Sequence, residues 1–416
     1  MRIAVVCNDT RGGIQPYVAL ALGLKRAGHE VRAVAPSDFV SMFTEVGLSV
    51  APLSGSVEAA VRESKGATER GAMATLRYQA RKSMERIAAW TRETLDACEG
   101  VDLLTGGVGG MVVGLSVADK LGKPFIEAHL QPLGVPTDAY PGVLLPGVPR
   151  WLGGWGRRMS HRLSEMALWM PFKGAMASAR EKVLGLDGRP TANDDQPVLY
   201  GFSPRVVEVP ATEGRGRHVT GYWWLPAAPS WRPPHALEAF LARGGSVVSI
   251  GFGSMTSDDA EALTALVLGA VRSARVRAVL VTGWGGLESL PETDDVLCVD
   301  AAPYDWLFPR VSATVHHGGA GTTGLGLRAG VPAIVVPFTM DQPFWGSRVA
   351  ALGAGPPPIP RARLTQERLA RALQRALGDQ AMRERVEALG EQIRSEDGVA
   401  EAVARYEDVA ARLGAA

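Results

Sequence analysis

Short apolar runs, each closed by a glycine-bearing loop, recur along the chain and set its rhythm. Ile3 to Cys7 is the first, a continuous run that suits a parallel strand covered on both faces. The loop Asp9 to Gly13 follows. Tyr17, Leu20, Ala21 and Leu24 then recur at helical spacing, with Pro16 in the place of a first helical residue. Gly28 ends that helix before the strand Glu30 to Val34, completing one βαβ unit. Far downstream the pattern restarts. Val247 to Ile250 reads as a strand, Gly251 to Ser254 as its loop, Asp258 to Ser273 as a helix and Val279 to Val281 as the next strand. A second start of this kind predicts an α/β protein with two doubly wound domains.

Between the halves, Trp223 to Pro234 is dense in proline and tryptophan and has no periodic run, so a linker is expected over 222–236. Residues 1–221 then form an N-terminal domain and 237–395 a C-terminal one. The pattern over 365–413 is helical, and 396–416 is expected to return toward the first domain as a helix. A chain of 416 residues is long enough for two cores.

Composition removes several classes. Lys and Arg number 44 against 43 Asp and Glu, a formal charge of +1, so no overall field favours nucleic acid or anionic lipid. Cys7, Cys98 and Cys298 lack the spacing of a zinc site or a disulfide framework, and a reducing, cytoplasmic setting is expected. The first apolar run is too short for a signal peptide, and no stretch approaches the roughly 20 apolar residues of a membrane span, so no stable membrane insertion is expected.

Chemistry concentrates in the second half. Val315 to Thr323 runs from a strand through His316, His317, Gly318 and Gly319 into a helix that ends near Gly330. Glycines at such a turn let backbone N–H groups approach an anion, and the helix N-terminus adds about half a positive charge. A diphosphate is the expected guest, with Gly319, Gly321, His317 and Thr322 about it and no metal required. A tight packing turn has the same composition. The next strand, Val335 to Phe338, leads to Asp341 and Gln342, an anionic acceptor and an amide suited to sugar hydroxyls; Asp341 equally suits a helix N-cap. Ser254 is placed to reach the same phosphates. Trp284 is either a flank for the base or core.

The run from Trp306 through His316, His317 and Thr323 to Asp341, Gln342, Pro343 and Gly346, with Thr10 to Gly12 and Gln15 to Tyr17 near the start, resembles the GT-B glycosyltransferases. The branch resembled holds sterol glucosyltransferases and bacterial macrolide and glycopeptide antibiotic glycosyltransferases. The resemblance implies a GT-B fold, two Rossmann-like domains facing across a cleft. It implies inverting transfer of a hexose from a nucleotide diphosphate sugar to a hydroxyl of a lipophilic acceptor such as a macrolide, polyketide or sterol. UDP-glucose is favoured as donor, with a dTDP-sugar as the other choice, and the nucleotide sugar is a co-substrate with no further cofactor. It places the diphosphate on His317, Gly321 and Thr322, and the donor sugar on Asp341 and Gln342.

One position departs from that family. Relatives carry an Asp or His three residues before the proline of the first loop, where this chain has Gly13. An attacking alcohol needs a general base. Asp138, in a loop after Leu130 that resembles the acceptor-facing loop, is the first candidate, with Asp9 and His129 as reserves; Asp138 as a turn cap is the alternative. An acidic acceptor needing little help, a protein that only binds, and a GT-B sugar epimerase are the other readings. Trp151, Trp155, Met159, Met166, Trp169, Met170 and Met176 make either an ordinary core or an adaptable lipophilic pocket. A nicotinamide dehydrogenase is set aside, because the first loop lacks Gly-x-Gly-x-x-Gly.

Overall fold

A computed structural model describes residues 1–59, 72–210, 216–228, 230–253, 255, 259–283, 287–288 and 293–414. The first half runs β1 (Arg2–Val6), α1 (Arg11–Arg26), β2 (Glu30–Pro36), α2 (Val40–Thr44), β3 (Ser49–Leu53), α3 (Ala72–Ala97), β4 (Leu103–Gly106), α4 (Val108–Leu121), β5 (Phe125–His129), α5 (Gly153–Lys182), β6 (Val198–Tyr200) and β7 (Arg217–Val219). The second runs α6 (His235–Ala242), β8 (Val247–Gly251), α7 (Ala260–Ala274), β9 (Arg277–Val281), β10 (Val296–Val299), α8 (Tyr304–Leu307), β11 (Ala313–His316), α9 (Ala320–Ala329), β12 (Ala333–Val335) and α10 (Gln342–Ala351). It closes with α11 (Gln366–Gly378), α12 (Gln380–Arg394) and α13 (Gly398–Gly414).

Both sheets are parallel, in the orders β3-β2-β1-β4-β5-β6-β7 and β10-β9-β8-β11-β12. The order reverses between β1 and β4 in one and between β8 and β11 in the other. Ligands of such sheets sit at the strand carboxyl ends beside that reversal. The loops after β1, β8 and β11, which carry the sequence motifs, therefore stand where the topology makes a crevice.

One expectation is corrected. Pro16 lies inside α1, which begins at Arg11, so the residues read as a loop form the first turn of the helix. Pro16 has no N–H to give the Gly12 carbonyl, and that oxygen faces the second half, 3.7 Å from where a side chain at Gly321 would begin. The segment expected as a linker carries no helix or strand among its described residues before α6, yet it is not free chain. Tyr222 and Trp223 are buried, the Trp223 Nε1–H donates to Thr220 Oγ1 at 2.9 Å, and Tyr222 stacks on Trp224 at 4.7 Å.

The last helix belongs to the first core. α13 buries Ala402, Val403, Tyr406 and Val409 with Val18, Leu24 and Ile126 of the first half. Val399 approaches Gly23 of α1 so closely that a methyl group there would lie 2.3 Å from it. Tyr406 is fully buried, and its hydroxyl meets Thr105 Oγ1 on β4 at 2.6 Å, while Thr105 donates onward to the Ile126 carbonyl. Tyr406→Ala, which empties this position, is expected to cost about 3–5 kcal/mol, and Tyr406→Phe, which removes one hydrogen bond, about 1 kcal/mol. Urea denaturation followed by tryptophan fluorescence measures both; equal small losses would show that the helix does not plug the first sheet.

Candidate active site

The floor of the cleft is built from two helix N-termini. α1 starts after Thr10, whose side chain makes no bond to the first-turn N–H groups, and α9 after Gly319, which has no side chain to do so. Both ends thus keep unsatisfied donors and partial positive charge directed into the same space.

At the second-half end the two histidines do different work. His316 is buried, its Nδ1 accepts from the Gly318 N–H at 3.0 Å, and burial holds its pKa down to about 3, so it stays neutral and braces the turn. Gly318 makes that turn at φ +92°, in the left-handed region, with Val335 packed where a side chain would go. His317 faces the helix end. A methyl group on Gly319 would stand 2.6 Å from its Nε2 and one on Gly253 3.1 Å from its Cε1, so glycine is what lets the loops after β8 and β11 close around this ring. Its Nδ1 is buried without a hydrogen-bond partner among the described residues, and burial pushes its pKa down to about 4. A neutral ring offers an anion one N–H rather than a full charge. Thr322 sits half-buried in the first turn of α9, beside Gly321.

Asp341 follows β12 and opens α10. Its Oδ2 accepts from Trp345 Nε1 at 2.9 Å and from Gln131 Nε2 of the first half at 3.2 Å. Burial raises its pKa, opposed by these two bonds. Gln131 was not singled out from sequence as a partner of Asp341; its place two residues beyond the end of β5 was the available signal. Gln342 departs from expectation. Its Oε1 accepts from the Phe338 and Thr339 N–H groups at 2.8 and 3.1 Å, and its Nε2 lies 3.3 Å from Met255 Sδ. The amide is occupied in closing the turn rather than presented as a two-point ligand. Ser254 and Trp284 lie outside the described residues.

The three base candidates separate cleanly. Asp138 is 52% exposed, and both of its carboxylate oxygens are held by the Arg158 guanidinium, with Arg157 on its backbone carbonyl. That is an exposed surface ion pair with a guanidinium N–H on each carboxylate oxygen, which counts against Asp138 as first choice of base. His129 is buried, with Nε2 at 2.8 Å from Glu127 Oε2, and does not stand where an acceptor could meet it. Asp9 differs from both. Solvent reaches it from the cleft, yet its carboxylate fills the side-chain space of the residue one helical turn onward: a Cβ on Gly13 would lie 2.2 Å from Asp9 Oδ2. The Thr10 N–H donates to its Oδ1 at 2.6 Å. Desolvation by the surrounding protein, and then the charge of Asp341, raise its pKa to about 6.

Residues 273–409 match the family described as erythromycin biosynthesis protein CIII-like, C-terminal domain. The chain is 36% identical over 433 residues to a sterol 3-beta-glucosyltransferase of Aspergillus terreus, and 33% identical over 442 residues to one of Cryptococcus neoformans var. neoformans. These alignments take in 98% of this chain but 30% and 27% of those proteins, so the chain spans less than a third of their length. Among solved structures, the glycosyltransferase SnogD from Streptomyces nogalater matches with a TM-score of 0.66 at 23% identity, covering 98% of this chain and 99% of that one. The glycosyltransferase VinC in complex with dTDP matches with a TM-score of 0.67 at 20% identity, covering 99% and 100%. Two parallel sheets with these matches have the GT-B fold, and 98% of the chain aligns with part of the sterol enzymes.

Proposed function

We propose that this protein is an inverting glycosyltransferase that moves a hexose from a nucleotide diphosphate sugar to a hydroxyl of a lipophilic acceptor, with Asp9 as the general base. The observation that carries the reading is the Asp9 carboxylate in the space above Gly13 at the N-terminus of α1, close enough to Asp341 of the second half to feel its charge. A base is thereby present although position 13 has no side chain, which weakens the reading of a protein that only binds.

The acceptor oxygen attacks the anomeric carbon while its proton passes to the Asp9 carboxylate. The bond from that carbon to the diphosphate oxygen breaks, and the electron pair leaves with the diphosphate. Charge grows on the leaving group at the moment the α9 N–H groups and the His317 N–H can meet it. A dianion bound there would itself raise the His317 pKa, so the ring gains positive character only with donor in place. Asp341, oriented by Trp345 and Gln131, is the acceptor for sugar hydroxyls. A base with a pKa near 6 is ionised at neutral pH yet still binds a proton well, the compromise that general-base catalysis favours. The sterol 3-beta-glucosyltransferases among the relatives support glucose as the sugar and a sterol-like alcohol as acceptor; the dTDP complex of VinC supports a nucleoside diphosphate as the carrier.

Asp9→Asn is expected to lower kcat by about 100-fold or more while leaving nucleotide affinity unchanged. Moving the acid, as Asp9→Gly with Gly13→Asp, is expected to restore most of the turnover, because Asp9 is what a Cβ on residue 13 would strike. Full activity in Asp9→Asn would remove this base. Only ionised Asp9 accepts a proton, so kcat/KM is expected to rise with pH through about 6 and then level, and the limb should disappear from Asp9→Asn. UDP or dTDP at a hundred times its dissociation constant should stabilise the protein by about 2.7 kcal/mol in a thermal melt. Gly319→Ala, which presses on His317, should diminish that shift; no shift with either nucleotide in the unaltered protein would overturn the donor site.

A further inference from the structure

Within the segment 151–170, Leu168 and Trp169 pack against the core, whereas several other large apolar residues are left in solvent. Trp151 is 83% exposed, Trp155 66%, Met166 62% and Met170 67%, and Leu145 and Leu163 are also exposed. On α5, Trp155, Met159, Leu163, Met166 and Met170 follow one another at intervals of three and four, which puts them on one outward face. Monomeric proteins seldom leave a continuous apolar stripe of this length uncovered.

Charge tells what covers it. From Arg150 to Lys173 the chain has Arg150, Arg157, Arg158, Arg162 and Lys173 against the single acid Glu165. Glu165 accepts from the Gly134 N–H and so turns toward the body of the protein, and Arg158 is paired with Asp138. Arg162 and Lys173 are exposed and fall within the stripe by the same spacing. If two copies met through this face, a two-fold axis would bring these cations toward one another in an apolar contact, where like charges are costly. Anionic headgroups would neutralise them instead. Trp and Met at the level of the acyl boundary with Lys and Arg among the phosphates is the arrangement of helices that lie flat on a bilayer.

We propose that α5 and the preceding Leu145 to Trp151 segment form a docking surface for an anionic lipid bilayer, lying in the headgroup layer without spanning it. None of the described helices is long and apolar enough to cross a membrane. The surface is tied to the cleft. Asp138 and Gly134, held by Arg158 and Glu165 of α5, belong to the loop whose Gln131 reaches Asp341. Docking would therefore turn the acceptor side of the cleft toward lipid.

Flotation of the full chain with vesicles tests this independently of any turnover. Binding to phosphatidylcholine vesicles containing about one third phosphatidylglycerol is expected to exceed binding to phosphatidylcholine alone by about tenfold, and to fall with added salt. Two variants, W151S/W155S/M166S/M170S and R162E/K173E, should each lose about tenfold on the anionic vesicles while keeping the nucleotide-induced thermal shift that reports a folded protein. Vesicle binding unchanged in both variants would overturn the proposal. So would absence of binding to either vesicle, or sedimentation velocity showing a dimer that the four-residue variant abolishes while vesicles bind nothing.

Discussion

Asp9 and Gly13 share one side-chain volume at the mouth of α1, and the working geometry of the cleft follows from that sharing. The carboxylate can rest there only because residue 13 ends at its Cα, and it then lies one turn from the helix start, facing Asp341 across the gap. Two acids near one floor would repel, but the positive ends of α1 and α9 converge on the same space and moderate the repulsion. The outcome is a carboxylate that is charged at neutral pH without being strongly held. Asp138 shows the contrast, an exposed carboxylate with the Arg158 guanidinium on both of its oxygens.

The second half offers a parallel division of labour. Each member of the pairs His316 and His317, and Asp341 and Gln342, is adjacent in sequence to a residue of similar chemistry, but one braces the turn and the other faces the cleft. Tight turns leave N–H groups that must find acceptors, and His316 Nδ1 and Gln342 Oε1 supply them. The neighbouring side chain is released for ligand only because its partner is committed.

Much of this was legible in the sequence. Apolar runs bounded by glycine marked β1, β8 and β11, and the strand-to-helix turn at His317 was readable because its glycines and histidines are local. What was hidden depended on contacts between distant residues. Arg158, twenty residues after Asp138, removed the favoured base, and nothing in either residue's neighbourhood announces the pair. The Asp9 position did leave a local trace, an acid four residues before a glycine where a helix begins, but its meaning requires knowing that α1 starts at Arg11 rather than Pro16. Of the Trp and Met residues of α5, Trp169 and Met176 pack on the core while Trp155, Met166 and Met170 are exposed, because periodicity reports that a face is apolar without reporting what stands opposite.

The return of α13 to the first sheet makes the order of the chain differ from the order of its cores. A gene fragment ending after α12 would encode a complete second sheet and an unplugged first one, lacking the Tyr406 that closes onto Thr105. Recombination between relatives is constrained accordingly. A crossover that exchanges the second half of the chain for that of another protein also exchanges the helix against which α1 packs, so Gly23 and Val399 must be inherited as a matched pair even though 376 positions separate them. The hybrids that fold best would carry two crossovers, one before α6 and one after α12, moving the second core as a cassette and leaving the terminal helix with its native partner.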